Sequence, residues 1–226
     1  MRLLWAVTGA GHLMRQSAEV FEALSKKHEI TVIFTRAGYE IAKLYGVLDV
    51  FKRNTGGRYR ELEVDPKPLS HVYGRIMRKV YDALIVSPAS ANSVNKFALG
   101  IADNLVTTAF AMARKVGTKT YLVPSDAPWV KETELPCIIE SCIGCEECPP
   151  QNLCPTKAIE GDRFRRIVLE RCIGCQACVK ACPHSAISCF KRVPVSLHPL
   201  EFEYLKKLEG MGVILLKEPK ELLEIF

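Results

Sequence analysis

The sequence predicts an α/β fold: a doubly wound parallel sheet of the Rossmann-like kind, with a small α+β domain inserted into it. Three observations predict this. Apolar runs alternate with helical patterns as far as Ser125, a cysteine-rich stretch from Cys137 to Cys189 interrupts the rhythm, and one more helical pattern and one more apolar run follow. Strand and helix in alternation call for parallel strands joined by crossover helices.

The opening run LLWAV (Leu3 to Val7) has the length and continuity of a buried strand, and it is too short and lacks the cleavage site of a signal peptide. HLMRQSAEVFEALSKKH then places Leu13, Ala18, Phe21 and Leu24 at helical spacing. EITVIFT (Glu29 to Thr35) reads as a second strand and AGYEIAKLYGVLDVF as a second helix. From Lys52 to Lys67, Gly56-Gly57, Pro66 and dense charge predict a mobile loop. GRIMRKVYD is an amphipathic helix with Tyr73, Ile76, Met77 and Val80 inward and Arg75, Arg78 and Lys79 in water. DALIVSPAS supplies a third strand, Asn92 to Val116 a long helix, and TKTYLVPS a further strand.

Beyond the cysteines, PLEFEYLKKLEGMG reads as a helix ending at glycine and VILLK as a strand. A lone helix and strand cannot bury themselves, so they are predicted to return to the first sheet; a cap on the cysteine module is the alternative. The expected domains are therefore 1-136 with 191-226, and 137-190.

At 226 residues the chain can bury a substantial core. Its formal net charge of +6 falls to roughly +2 if two four-thiolate clusters each carry about −2, so the basic residues do not argue for nucleic acid. They can offset the clusters or attract an acidic electron donor. No apolar run approaches the ~20 residues of a membrane span. Eight of ten cysteines fall in two metal-type runs, which points to a reducing cytoplasm rather than to disulfides.

Those runs are CIGCEECPPQNLCP, from Cys142, and CIGCQACVKACP, from Cys172. A cubane cluster needs four thiolates around it; C-x2-C-x2-C lets one turning loop supply three, and a remote fourth closes the cage. Both runs share CIGC and a later P-x-x-A-I, an internal repeat. The stretch resembles the 2[4Fe-4S] ferredoxin family, and that resemblance implies that the fourth cysteine of each run serves the other cluster. It thus implies Cys142, Cys145, Cys148 and Cys182 for cluster 1, and Cys172, Cys175, Cys178 and Cys154 for cluster 2. Five residues, not three, separate Cys148 from Cys154, which predicts one enlarged loop with all ligands kept. Structural zinc is the alternative for paired C-x2-C. Cys137 and Cys189 are expected to be spectators or small apolar residues.

In the flanking domain VTGAGHLM puts Thr8, Gly9, Ala10 and Gly11 at a strand-to-helix turn, where backbone amides can hold a phosphate. It is not the dinucleotide fingerprint: Met14 stands where the third glycine would fall, and Thr35-Arg36 where an acidic residue would. A mononucleotide phosphate fits better, with Thr8 and Thr35 as hydroxyl donors. A second loop, SPASANS, brings small residues to the carboxyl end of a strand, where a flat ring can approach the backbone. Ser90 and Asn92 can donate to such a ring while Ser93 caps the next helix.

The stretch SPASANSVNKFALGIADNLVTTA matches P-A-[ST]-A-N-[ST]-x3-K-x3-G-x2-D-x-L at Pro88, Ala89, Ser90, Ala91, Asn92, Ser93, Lys96, Gly100, Asp103 and Leu105. With the glycine turn and LEGMGVILLKEP, it resembles the flavoprotein family of peptidyl-cysteine decarboxylases, phosphopantothenoylcysteine decarboxylase and flavin prenyltransferase. The resemblance implies bound FMN, held by these residues, and a homo-oligomer built on trimers. Lys96 and Asp103 fit simple helix-face contacts equally well. His71 lies where decarboxylating members carry a histidine that acts on the substrate; the alternative for it is a structural role.

A decarboxylase needs no iron–sulfur clusters, whereas two clusters beside a flavin imply single electrons gathered into a hydride. The combination resembles the archaeal dihydromethanopterin reductase type. That implies an oxidoreductase reducing a pterin, dihydromethanopterin, to tetrahydromethanopterin with reduced ferredoxin as donor. The rival reading is an electron-transfer flavoprotein with a protein acceptor and no small-molecule substrate; a cysteine decarboxylase with an added redox module is the third.

Overall fold

The computed structural model describes residues 1–226. The chain begins with β1 (Arg2–Val7), α1 (Met14–Ser25) and β2 (Glu29–Phe34). Two short helices follow, α2 (Arg36–Leu44) and α3 (Leu48–Arg53). The single helix expected from Ala37 to Phe51 is split at Gly46, whose φ of 71° is a left-handed conformation that glycine adopts at no steric cost. The expected mobile loop contains β3 (Leu62–Val64), which pairs in parallel with β2 at the sheet edge. Three residues are too few for a periodic signal, and the surrounding charge masks them.

Next come α4 (His71–Met77) and β4 (Ala83–Ala89). Met77, expected inward, is exposed because α4 stops there. The long helix expected over Asn92–Val116 is two, α5 (Ala91–Leu99) and α6 (Leu105–Val116). Gly100 ends the first in the left-handed region, and a reciprocal capping box between Asn104 and Thr107 starts the second. β5 (Lys119–Pro124) completes this part.

The cysteine segment holds β6 (Glu132–Glu134), β7 (Ile138–Ile139), α7 (Pro149–Leu153), β8 (Ile159–Glu160), β9 (Arg166–Ile167), α8 (Ala177–Ala181), β10 (Ile187–Ser188) and β11 (Arg192–Pro194). The chain then forms α9 (Pro199–Gly210), β12 (Ile214–Leu215), a 3-10 turn over Pro219–Glu221 and α10 (Leu222–Ile225).

Six strands form one sheet in the order β12-β5-β4-β1-β2-β3, and every pairing is parallel. Alternate residues of β1 point to opposite faces. Leu3, Trp5 and Val7 join a core with α1, α2 and α3; Leu4 and Ala6 join another with α4, α5, α6 and α9. β12 pairs with β5, so the chain beyond the cysteines completes the sheet. The order reverses between β1 and β4, and open α/β sheets bind ligands in the crevice at the carboxyl ends of such strands.

In the cysteine segment the ladders β6·β11 and β7·β10 are antiparallel and form its neck. Cys137 and Cys189, expected to be spectators, are bonded to each other there. The module packs on the α1–α3 side: Cys137, Ala158 and Cys172 belong to the same core as Tyr45 and Leu48.

Candidate functional site

At the switch point the ends of β1 and β4 are stitched together by Thr8. Its hydroxyl donates to the Pro88 carbonyl at 3.0 Å and accepts from the Ser90 amide at 2.7 Å. Thr8 is fully buried, so the hydroxyl expected to reach a phosphate is committed to the backbone and fixes the Ser90 loop instead. Thr35 caps α2 by accepting from the Gly38 amide at 3.0 Å, and its hydroxyl proton remains free to donate.

Gly9, Ala10 and Gly11 form the turn between β1 and α1, and two neighbours press on it. A Cβ on Gly9 would lie 2.7 Å from the Ala37 methyl, and one on Gly11 would overlap the Tyr45 hydroxyl. Ala10 is buried, while both glycines are partly accessible. The turn therefore presents backbone, with no room for side chains.

The second loop follows a β4 whose end is tightly held. Trp5 donates its indole N–H to the Ser87 carbonyl at 3.0 Å, and Ser125 donates to the Ala89 carbonyl through both its amide and its hydroxyl. Ser90, not Ser93, occupies the N-cap position of α5, and no side chain caps that helix, so its first amides are uncommitted. Ser93 lies one turn in, buried, and receives the Ser90 hydroxyl at 3.2 Å. Asn92 is exposed at the same end.

Asp103 is not brought to this loop. It lies beyond the other end of α5, about 13 Å along a nine-residue helix, and pairs with Lys96 at 2.6 Å. His71 is exposed at the first turn of α4 and its ring makes no hydrogen bond within the chain.

Beside the glycine turn opens a cleft of ≈ 390 Å³, lined by His12 and Gln16 of the turn and α1, by the segment Trp129–Glu134, by Arg192 of β11 and by Lys217–Lys220. A volume of this size suits a small-molecule ligand. The Trp129 indole N–H is buried without a partner, an orphaned donor at a cleft wall. Burial pushes the His12 imidazole below its ordinary value, against the opposing pull of Asp126 and Glu134. Sequence reasoning missed this cleft, because its walls come from segments far apart in the chain and carry no common motif.

The eight remaining cysteines surround two small cavities. One is lined by Cys142, Cys145, Cys148 and Cys182, the other by Cys154, Cys172, Cys175 and Cys178. Each set offers four thiolates, the number a [4Fe-4S] cube requires. The amides of Arg165 and Gly144 lower the Cys142 thiol, while burial raises those of Cys172 and Cys178. Burial also opposes ionisation of Cys154, but the amides of Ala158 and Thr156 outweigh it and leave that thiol lowered. The extra residues after Cys148 fold into α7, which packs on α8 of the second run.

The two parts of the chain meet at Tyr45 and Gly46. A Cβ on Gly174 would lie 2.5 Å from the Leu44 carbonyl and 2.9 Å from the Gly46 amide. Lys43 donates to the Glu170 carbonyl at 2.8 Å, and the Phe190 ring tilts against Tyr45 with centroids 5.5 Å apart. The Tyr45 hydroxyl donates to the Glu134 carbonyl at 2.6 Å, and burial pushes its pKa up to about 12.

Known proteins resemble both parts of the chain. The family model described as Flavoprotein covers residues 1–135, and that of the 4Fe-4S binding domain covers residues 166–188. A Methanocaldococcus jannaschii protein named dihydromethanopterin reductase (acceptor) is 39% identical over 237 residues, spanning 100% of this chain and 96% of its own. One of the same name from Methanosarcina mazei is 35% identical over 240 residues, spanning 100% and 98%. The chain belongs to the dihydromethanopterin reductase (acceptor) family of flavoproteins.

Two solved structures share the fold of this family member at low identity. Burkholderia xenovorans DmrB in complex with FMN, described as a cubic protein cage for redox transfer, has a TM-score of 0.63 at 18% identity, covering 99% of this chain and 92% of its own. A dodecameric FMN-dependent UbiX-like decarboxylase from Escherichia coli has a TM-score of 0.55 at 16% identity, covering 96% and 80%. The 4Fe-4S match takes in only the second cysteine run; the first carries the longer spacing before Cys154.

Proposed function

We propose that this reductase-family flavoprotein takes single electrons from a low-potential donor, reduced ferredoxin, through two [4Fe-4S] clusters to FMN and on to dihydromethanopterin, giving tetrahydromethanopterin. The observation that carries the reading is the seating of the Cys172–Cys178 loop on Tyr45, whose other side presses on Gly11. One residue thus links a four-cysteine set, through its backbone, to the flavin-type turn, through its hydroxyl.

The residues fit the groups. Gly9 to Gly11 and the Thr35 hydroxyl would hold the FMN phosphate, and Ser90, Ala91, Asn92 and the uncapped amides of α5 would meet the ring. Pro88 and Ala89 set that loop's path, Ser93 holds Ser90, and Asp103 only braces Lys96. Cys142, Cys145, Cys148 and Cys182 would hold cluster 1, and Cys172, Cys175, Cys178 and Cys154 cluster 2. When bound, the clusters supply single electrons and the flavin converts pairs of them into hydride transfer.

The chain's own part is to position and to exclude water. The cleft beside the turn would take the pterin, with Lys131, Arg192, Lys217 and Lys220 facing its anionic tail and the Trp129 N–H given a partner. Such a cleft favours a small-molecule substrate over the rival carrier reading. His71 has no step in this reaction. No helix is long and apolar enough to cross a membrane; we place the protein in the cytoplasm, as a homo-oligomer built on trimers.

Anaerobic purification followed by iron, sulfide and flavin counts, and then an assay with reduced ferredoxin and dihydromethanopterin, tests the reading. About eight irons, eight sulfides and one flavin per chain with pterin reduction support it; flavin turnover that leaves dihydromethanopterin unreduced overturns it.

A further inference from the structure

Cys137 and Cys189 stand outside both ligand sets, yet the fold brings them together. In the neck, Glu134 pairs with Arg192 and Ile138 with Ser188. Both ladders share one antiparallel register, which sets 137 directly across from 189. Between the ladders the Leu135 amide bonds to the Lys191 carbonyl in register and the Phe190 amide to the Leu135 carbonyl one residue out of it, at a left-handed Phe190; Cys137 and Cys189 are nonetheless joined, with their Cα atoms 3.9 Å apart. Opposed residues in such a pair bring their side chains side by side.

Two further facts separate this pair from an ordinary structural bridge. The sulfurs of Cys137, Cys189 and Cys178 all lie within 4.8 Å of one another, so no other side chain need carry an electron between the bond and a cluster 2 thiolate. Cys137 is 1% exposed and Cys189 is half-buried, so a dissolved thiol can make the in-line approach that disulfide exchange requires only at Cys189. Electrons can reach the bond from the cluster side without a reductant having to approach either sulfur. Phe190, next to Cys189, rests on Tyr45, so the state of the bond is felt where the module meets the flavin domain.

We propose that Cys137 and Cys189 are a redox-active pair fed by cluster 2. Opening the bond takes two electrons and two protons and yields two thiols; closing it returns both. The electrons come singly from a low-potential donor through the Cys178 side, the protons from solvent. The pair is closed, clasping the neck, when such electrons are scarce, and open when they are plentiful. The inference rests on the iron–sulfur part of the proposed function and not on the pterin.

The test uses the anaerobic holoenzyme, alkylated under denaturing conditions and mapped by peptide mass. In the oxidised protein the peptides bearing Cys137 and Cys189 are expected linked and unlabelled; after reduced ferredoxin both are labelled. Ferredoxin is expected to open the pair at least about ten-fold faster than dithiothreitol, which can attack only at the half-buried Cys189. Free thiols at both positions in the oxidised holoenzyme, or opening by dithiothreitol as fast as by ferredoxin, overturns the proposal. A coulometric titration adds a second readout: the wild type takes up about six electrons per chain and Cys137→Ser about four, with iron content unchanged. Equal uptake by the two proteins contradicts it. Neither readout involves the pterin, so failure here and failure of the substrate assignment are distinguishable.

Discussion

The hydroxyl of Tyr45 occupies the space that a Cβ on Gly11 would fill, and it is held there by donating to the Glu134 carbonyl at 2.6 Å. Gly11 belongs to the turn between β1 and α1, and Glu134 to the neck of the cysteine module. Tyr45 therefore keys three parts of the chain to one another, and it cannot retreat because Gly174 packs against its backbone.

Gly11→Ala is expected to weaken FMN binding at least about ten-fold, or roughly 1.4 kcal/mol, because the turn must move off its neighbour. Adding Tyr45→Phe removes the obstructing oxygen and recovers part of the loss. Flavin titration of the two variants against wild type measures both effects.

Gly174→Ala strikes the other side of the junction, at a φ of 61°. A side chain there collides with the Leu44 carbonyl and is strained as well, a cost of about 1–3 kcal/mol. Reduction of the flavin by ferredoxin is expected to slow at unchanged iron content, read by stopped-flow absorbance.

The two cysteine sets are expected to behave differently. Cys172→Ser and Cys148→Ser each lower iron from about eight to about four per chain. Only the first removes the set that packs against Tyr45. It is expected to stop flavin reduction by ferredoxin, whereas Cys148→Ser still accepts electrons from a small donor such as a reduced viologen.

His12 supplies a pH prediction. Its imidazole lies below the ordinary value of 6.5 when folded, so below that pH the unfolded chain binds more protons than the native one. The contribution is fully present above about pH 6.5 and lost as pH falls through the folded value. Wild type is expected to lose more stability between pH 7 and pH 5 than His12→Asn, by thermal denaturation at both.

His71→Asn is expected to leave ferredoxin-dependent reduction within about two-fold of wild type, the range normal for an exposed site without partners. Steady-state kinetics decide it; a large fall in kcat would return His71 to the chemistry.

Five of the six strands of the sheet and the two cysteine runs were legible because each is a local signal: a buried run, a spacing of three, a proline after the fourth thiol. The Ser90 loop was legible for the same reason. Thr8 was misread because nothing local shows that its hydroxyl is used by Pro88 and Ser90, some eighty residues away. Tyr45 sat inside what reads as one continuous helix, and nothing local shows that the helix ends at Tyr45, before a left-handed Gly46, with the ring against Gly11. The register that opposes Cys137 to Cys189 is set by strands of two and three residues, too short to leave a period-two pattern.

The account stands or falls on electrons entering at the cysteine module and leaving on a pterin. Anaerobic stopped-flow mixing of holoenzyme with reduced ferredoxin and dihydromethanopterin tests that path. The account predicts one tetrahydromethanopterin formed for about every two ferredoxins oxidised, the ratio a hydride requires, with the flavin reduced only in chains that hold the Cys172 set. Oxidation of ferredoxin and bleaching of the flavin with no tetrahydromethanopterin formed would contradict it.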